Sequence, residues 1–496
     1  MNTNNLNRRA MLGGTLALGG VAMLGVNAVH GQEASPIAEE STPAAESLFA
    51  WEWPMYGNDV AGTRFTGNSP ISTETAGQLE LAWRAPIGAA ISATPVIANG
   101  IVVIGAYDGT VRAFSTEDGL PVWTYDTGAA VPEPLLGISI GVTGSAAIVD
   151  GVVYVGDATG QLHAIDAVTG DAIWAMAPDN QPAASVWSSP IVSGGVLYTG
   201  IASVAKEEGF RGVVVAVDAA TGATIWEHFV TPEGTDGGGV FGVPALDLER
   251  GLLVVGTQNA YTADAPDAGD VMSVIALDLA SGDLIWSFSG VPADGSATVA
   301  DDIAFSASPN LFTVTIDGAE RDVVGIGQKS GIFHLLDRET GESIWATEIT
   351  PPGPLGGMEG TSAVGNGVIV VPATMWPDFS DPEAAGVVRA LDAATGEILW
   401  SQDTDAPSPA PAAIANDVAF VAGFDGKLRA FSLNDGTAAW EYDLGASVSG
   451  GIAVAGDLVV LGAATPVFAP FILEGGDLWA FRIGSPQIEP VASPQA

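Results

Sequence analysis

The stretch Ala164-Ile-Asp-Ala-Val-Thr-Gly-Asp-Ala-Ile-Trp174 decides the fold, because it is one copy of a cassette that recurs along the body of the chain. The form Ala-x-Asp-x-x-Thr-Gly-x-x-x-Trp runs from Ala113 to Trp123, Ala164 to Trp174, Ala216 to Trp226 and Ala276 to Trp286. It continues from Leu335 to Trp345, Ala390 to Trp400 and Ala430 to Trp440. An alternating apolar run precedes each copy, such as Gly151-Val-Val-Tyr-Val-Gly156, so each unit reads as strand, turn, strand, turn in a repeat of propeller length. Within the turn, Asp and Thr satisfy free backbone groups and Gly supplies a positive φ. The Trp is expected to lie flat over the small Ala and the Gly peptide of a neighbouring blade, where a buried indole brings roughly 150–250 Å² of contact.

Two half copies remain. Asp477-Leu-Trp-Ala480-Phe-Arg-Ile-Gly484 has the Ala and stops before a Trp, and Gln78-Leu-Glu-Leu-Ala-Trp83 has a Trp strand with no Ala ahead of it. Joined, they make one more blade and leave no sheet edge open. The expected fold is all-β: an eight-bladed β-propeller of four-stranded antiparallel blades, closed by pairing of the N- and C-terminal strands, over residues 51–484.

Composition agrees with many short strands and tight turns: 64 Gly and 31 Pro in 496 residues, 47% apolar and only 15% charged. With 58 acidic against 15 basic residues the net charge is −43, which repels phosphate backbones and makes nucleic acid a poor partner. The absence of Cys removes disulfides, thiolate metal sites, cysteine nucleophiles and C-x-x-C-H haem attachment. His163, His228 and His334 each stand alone on strands and read as packed residues.

The N-terminus reads as an address. Arg8-Arg9 leads into an apolar, Gly/Ala-rich run from Met11 to Val29 with small residues at its exit. Residues 1–31 are therefore expected to be a twin-arginine-type signal peptide, favoured over a retained anchor because the run is only weakly apolar. The acidic, Pro-bearing 32–50 and the tail 485–496 read as disordered. Export to the periplasm, the cell envelope or the medium follows, with no membrane span in the mature protein.

The repeated tryptophan cassette resembles the docking motif of the quinoprotein dehydrogenase superfamily over nearly the whole mature length. Trp53-Pro-Met-Tyr-Gly-Asn-Asp-Val-Ala-Gly-Thr-Arg64 is similar to that family's opening segment, above all in polyvinyl-alcohol-dehydrogenase-like members. The resemblance implies pyrroloquinoline quinone (PQQ) and calcium over the ring axis, an alcohol substrate, and a separate electron acceptor such as a cytochrome or quinone. It implies the site residues too. Lys206-Glu-Glu-Gly-Phe-Arg-Gly212 places a metal ligand on Glu207, with Glu208 the near alternative. Val255-Gly-Thr-Gln-Asn259 places the next ligand on Asn259, and Ala300-Asp-Asp-Ile-Ala-Phe-Ser306 places the catalytic base, also at the metal, on Asp301. Gly327-Gln-Lys-Ser-Gly331 places the cation that touches the quinone oxygens on Lys329. Hard oxygen donors suit calcium, and an Asp can take the alcohol proton.

Departures from the family pattern accompany these matches. The base loop's second Asp is Ala304, the tryptophan beneath the quinone is Phe241, and the first-blade Glu of methanol-oxidising members falls near Ser92. Glu359, in Gly356-Gly-Met-Glu-Gly360, is a further candidate for the central pocket. The other reading is a propeller that has lost its cofactor and serves as a protein-binding scaffold of the cell envelope.

Overall fold

The register of the tryptophan cassettes generates eight sheets arranged as blades, numbered here in the order of the cassettes. The computed structural model describes residues 51–133, 138–203, 209–261, 269–292, 302–351, 356–376, 384–464 and 476–484. The expected signal peptide, linker and tail lie outside them. Blade 1 comprises Val96–Ala98, Ile101–Gly105, Thr110–Ser115 and Pro121–Asp126, paired in that order and antiparallel throughout. Blade 8 closes the ring as expected: Ile452–Ala455, Leu458–Ala463 and Asp477–Ile483 are completed by the N-terminal Leu79–Pro86. Among the described residues no helix is long and apolar enough to cross a membrane.

In every blade the outermost strand bulges at the same point, and the bulge aims the indole. Ala113 faces Trp123, Ala276 faces Trp286, and across the closing seam Ala480 faces Trp83. The extra residue ahead of each Trp turns the ring off the blade towards the next one. There the indole meets the cassette glycine of the following blade. Trp83 lies on Gly119, Trp123 on Gly170, Trp226 on Gly282 and Trp400 on Gly436. The expected Gly contact holds, whereas the small Ala serves the Trp of its own blade, as its cross-strand partner.

Seven of the eight indoles are also anchored by a hydrogen bond. The Nε1–H groups of Trp83, Trp123, Trp174, Trp226, Trp286 and Trp400 donate to Thr116, Ala167, Ala219, Leu279, Arg338 and Leu433, at 2.9–3.1 Å. These carbonyls all belong to the residue three places ahead of the cassette glycine. Trp440 finds Leu79 at the seam, and the Trp345 indole is the one of the eight left without a partner. The turns behave as the sequence implies: Asp166 accepts from the Val168 and Thr169 N–H groups, which holds its carboxyl below the usual aspartate range.

Where a blade is covered on both faces its second strand is apolar and wholly buried, as in Leu252–Gly256 and Val418–Ala422; in blade 5 the polar start of Ala319–Gly327 extends beyond that cover and is exposed. The outermost strand alternates, as in Leu284–Ser289, where Trp286 points inward. The innermost strands pose a separate problem, since their axial edge lacks a full neighbouring strand; among the described residues only blade 7 has even a short one, Phe65–Thr66, parallel to Ala413–Ala415. The opening segment solves it. Trp53, Pro54, Val60, Ala61, Thr63 and Arg64 accept, in turn, from the N–H groups of Ile97, Ile148, Leu246, Leu311, Val364 and Ile414. The segment thus runs round the axis from blade 1 to blade 7 and closes the channel.

The glycine requirement is testable. Gly282 has φ +75°, and a Cβ there would stand 2.5 Å from the Trp226 ring; Gly367 has φ +76° with nothing within 4 Å. Gly367→Ala should cost only backbone strain, roughly 1 kcal/mol. Gly282→Ala should add about 2 kcal/mol of overpacking to that. Thermal unfolding of the two variants measures the difference, and equal shifts would mean that the indole contact is not tight.

Candidate active site on the ring axis

Just ahead of each innermost strand the repeat places one residue at the mouth of the axis. Register fixes this position as Ser92, Thr143, Ser306 and Ser449, which bring hydroxyls, with Trp187, Phe241 and Pro409, which bring ring faces, and Glu359, the lone carboxylate. All of them line a cavity of about 270 Å³ on the axis. Tyr56 of the opening segment joins the lining, as does Tyr107.

Two residues further along each chain runs a collar of hydroxyls. The N–H of Thr94 donates to Ser145 Oγ, that of Ser145 to Ser189 Oγ, that of Val243 to Ser308 Oγ and that of Ser308 to Thr361 Oγ1, all at 2.8–2.9 Å. These hydroxyls stitch blade to blade, so the collar is structural. Ser145, Ser189 and Ser308 of the collar line the cavity too, and two residues of the layer above are differently placed. Thr143 Oγ1 and Trp187 Nε1 are buried without a hydrogen-bond partner, a loss of roughly 1–3 kcal/mol each that a ligand could recover. Trp187 and Phe241 stand side by side, ring centroids 5.2 Å apart at 44°, as one aromatic wall.

The charged groups lie beside blades 5 and 6. Lys329 Nζ is 2.8 Å from Asp302 and 3.1 Å from Glu359. Burial pushes that ammonium down, but the Glu359 and Asp302 carboxylates outweigh it and hold Lys329 above the ordinary lysine value. The backbone around Asp302 is clamped from two blades. Gln258 Nε2 donates to the Phe305 carbonyl at 3.2 Å, Lys329 N–H to Ala304 at 3.0 Å, and Gln328 Nε2 to Ile303 at 2.7 Å and Gly290 at 3.1 Å. His334 orients Gln328. Its ring packs against Phe288 and Phe305, and burial lowers it to about 4, so it is neutral at pH 7. Gln328 Oε1 can only accept, so His334 Nε2 carries the proton that donates to it at 3.1 Å.

Of the sequence-based candidates, Phe241 and Glu359 line the cavity. Lys329 stands one ion pair behind it, on Glu359. Asn259 is not among the described lining residues, and its backbone carbonyl accepts the Gly238 N–H at 2.9 Å. Glu207, Glu208 and Asp301 lie outside the described residues. Among the described residues no three His, Cys, Asp or Glu side chains cluster as a metal site. Sequence reasoning missed Trp187, Thr143 and Tyr56. A second repeat could have found the first: Ser92-Ala-Thr-Pro95, Trp187-Ser-Ser-Pro190, Phe241-Gly-Val-Pro244 and Ser306-Ala-Ser-Pro309 are in one register.

A family model described as outer membrane protein assembly factor BamB matches residues 73–200 and 328–492, and one described as the β-propeller domain of glucose/ethanol/alcohol dehydrogenase matches 184–362. The polyvinylalcohol dehydrogenase of a Pseudomonas species is 25% identical over 442 residues, covering 80% of this chain and 68% of that one. The 1-butanol dehydrogenase (cytochrome c) of Thauera butanivorans is 24% identical over 348 residues, covering 60% of this chain and 48% of that one. Among solved structures, the quinohemoprotein alcohol dehydrogenase from Comamonas testosteroni superposes with a TM-score of 0.78 at 22% identity, covering 89% of this chain and 82% of that one.

His334 gives the site a measurable acid limb. Its pKa is about 4 in the fold against 6.5 when free, so the unfolded chain takes up a proton in that interval and the folded one does not. Stability is therefore full above pH 6.5 and falls towards pH 4, by about 3 kcal/mol. His334→Gln, which keeps a donor for Gln328, should flatten this slope in pH-dependent denaturation; an unchanged slope would show that another group titrates there.

Proposed function

This chain belongs to the quinoprotein alcohol dehydrogenase superfamily, and from that premise we propose that it is an exported, PQQ- and calcium-dependent oxidoreductase acting on an alcohol. The observation that carries this reading is the axial cavity: an aromatic wall, a ring of hydroxyls, and two buried polar groups with nothing to bind. PQQ is a planar aromatic quinone bearing three carboxylates, and these residues suit it. Phe241 and Trp187 would hold its ring face, and Thr143 Oγ1 and Trp187 Nε1 would give hydrogen bonds to its oxygens. When bound, the cofactor supplies the redox chemistry, accepting hydride from the alcohol carbon.

The chain's own residues supply placement and proton handling. Asp301 takes the alcohol proton as general base. Glu207 and Asn259, with Asp301, offer the oxygen donors that calcium prefers. Lys329 keeps a fixed positive charge against Glu359 at the cavity wall, ready to offset negative charge developing on a reduced ligand. The Gln258 and Gln328 clamps keep the backbone after Asp301 from shifting. With no Cys in this sequence to attach a c-type haem, electrons pass to a separate acceptor, a cytochrome or a quinone. The scaffold reading has the match to the BamB family model in its favour, but it gives Thr143 and Trp187 no role.

The experiment is a titration with PQQ and calcium followed by Trp fluorescence, then dye-linked oxidation of a panel of alcohols. Saturable quenching at micromolar PQQ is expected, with turnover falling at least ~100-fold in Asp301→Asn while binding persists. Absence of saturable binding overturns the dehydrogenase and leaves the scaffold.

A further inference from the structure

Among the described residues, the buried Lys and Arg side chains are paired with carboxylates, save one. Lys329, Arg338 and Arg429 each touch an Asp or Glu. Arg64, in the opening segment, is fully buried and makes no salt bridge among the described residues. Its guanidinium donates only to backbone carbonyls, those of Tyr56, Ala412 and Ile452, which tie the segment to blades 7 and 8. Burial without a counter-charge lowers it to about 10. A lone charge in a low-dielectric interior is costly unless something neutralises it.

What lies next to Arg64 is the cavity. Its guanidinium carbon stands 4.8 Å from the centroid of the Tyr56 ring, and Tyr56 is part of the cavity lining. On the other side, Arg64 Nη2 and Thr94 Oγ1 both lie within 2.6 Å of the point where a Cβ on Gly451 would stand. Gly451 and Thr94 follow the lining residues Ser449 and Ser92 by two positions each, so Arg64 sits one layer beneath the cavity under blades 8 and 1. Thr94 Oγ1 itself has no partner. At the wall, Glu359 is the single charged residue among the described ones, and Lys329 behind it is shared between two carboxylates.

We propose that Arg64 is the counter-charge for an anionic occupant of the axial cavity, and so determines that this site takes a polycarboxylate rather than a neutral planar molecule. The inference rests on the reading of the cavity as a PQQ site. A protein of net charge −43 repels a trianion at long range, so binding one requires a local positive potential. Arg64 is the described buried cation that no carboxylate cancels, and through a water-poor interior its field reaches the cavity with little screening. Arg64 is thus a positioning residue: it acts through space and through Tyr56, without touching the ligand.

Calorimetric titrations of PQQ and of its uncharged trimethyl ester test this in three proteins. The wild type is compared with Arg64→Met, which removes the charge at similar volume, and with Thr94→Asp, which sets a carboxylate beside Arg64. Thr94→Asp gives the guanidinium a partner, so it serves even where Arg64→Met fails to fold, as judged by near-ultraviolet circular dichroism. The wild type should prefer PQQ over the ester, and both variants should lose roughly tenfold or more of that preference while their ester affinity stays within about threefold. Equal affinity of the wild type for PQQ and ester, or an undiminished preference in folded Thr94→Asp, overturns the proposal and leaves the PQQ reading standing. A wild type that binds neither molecule overturns both.

Discussion

The structure depends on an indole lying flat on a glycine. A propeller blade is a twisted sheet with two apolar faces, and it is stable only if both are covered by neighbours of matching curvature. The Trp226–Gly282 contact shows how that matching is enforced. The outer-strand bulge throws the indole outward, the left-handed glycine exposes a bare peptide to receive it, and the Leu279 carbonyl takes its N–H. Repeated from blade to blade, the contact sets the spacing between blades, and hence the radius at which the ring can close.

Closure at the rim leaves an unsolved problem at the axis. Eight innermost strands converge with their inner N–H groups open, and no sheet can cap them. The opening segment satisfies six of them, those of blades 1, 2 and 4 to 7, and ends by pairing Phe65–Thr66 along the edge of blade 7. Its course also defines the site. By sealing the channel beneath the collar of Ser and Thr hydroxyls, it converts an open pore into a cavity with Tyr56 in its lining and Arg64 below. In the collar the Ser145, Ser189, Ser308 and Thr361 hydroxyls join blades, and one layer above, the Thr143 hydroxyl is left unpaired.

Charge is distributed with the same economy. The sequence is strongly acidic, and of the described cations four are buried: Lys329, Arg338 and Arg429 against carboxylates, and Arg64 against backbone carbonyls and the Trp53 and Tyr56 rings. The Asp302–Lys329–Glu359 group and the buried Arg64 approach the cavity from different sides. The wall is therefore electrostatically uneven, with a carboxylate at blade 6 and an uncancelled positive charge beneath blades 8 and 1.

How much of this was legible in the sequence follows from the range of each interaction. The cassette from Ala164 to Trp174 encodes a turn, a bulge and a stacking partner within eleven residues, so fold, blade number and the seam between Trp83 and Ala480 could be read directly. Phe241 was reached by resemblance and Glu359 from its local sequence, but Trp187 was passed over, because its importance comes from standing 5.2 Å from Phe241 across a blade boundary. Lys329 was read as touching the ligand, and the fold instead shares it between Asp302 and Glu359, separated from it in sequence by 27 and 30 residues. Local sequence determined the repeat, since its turns and stackings are local or recur at a fixed period. Only the tertiary structure decided which polar groups at the axis pair and which are left unpaired, since the second repeat marks one residue per blade for the axis but not the contacts those residues make across blades and with the opening segment.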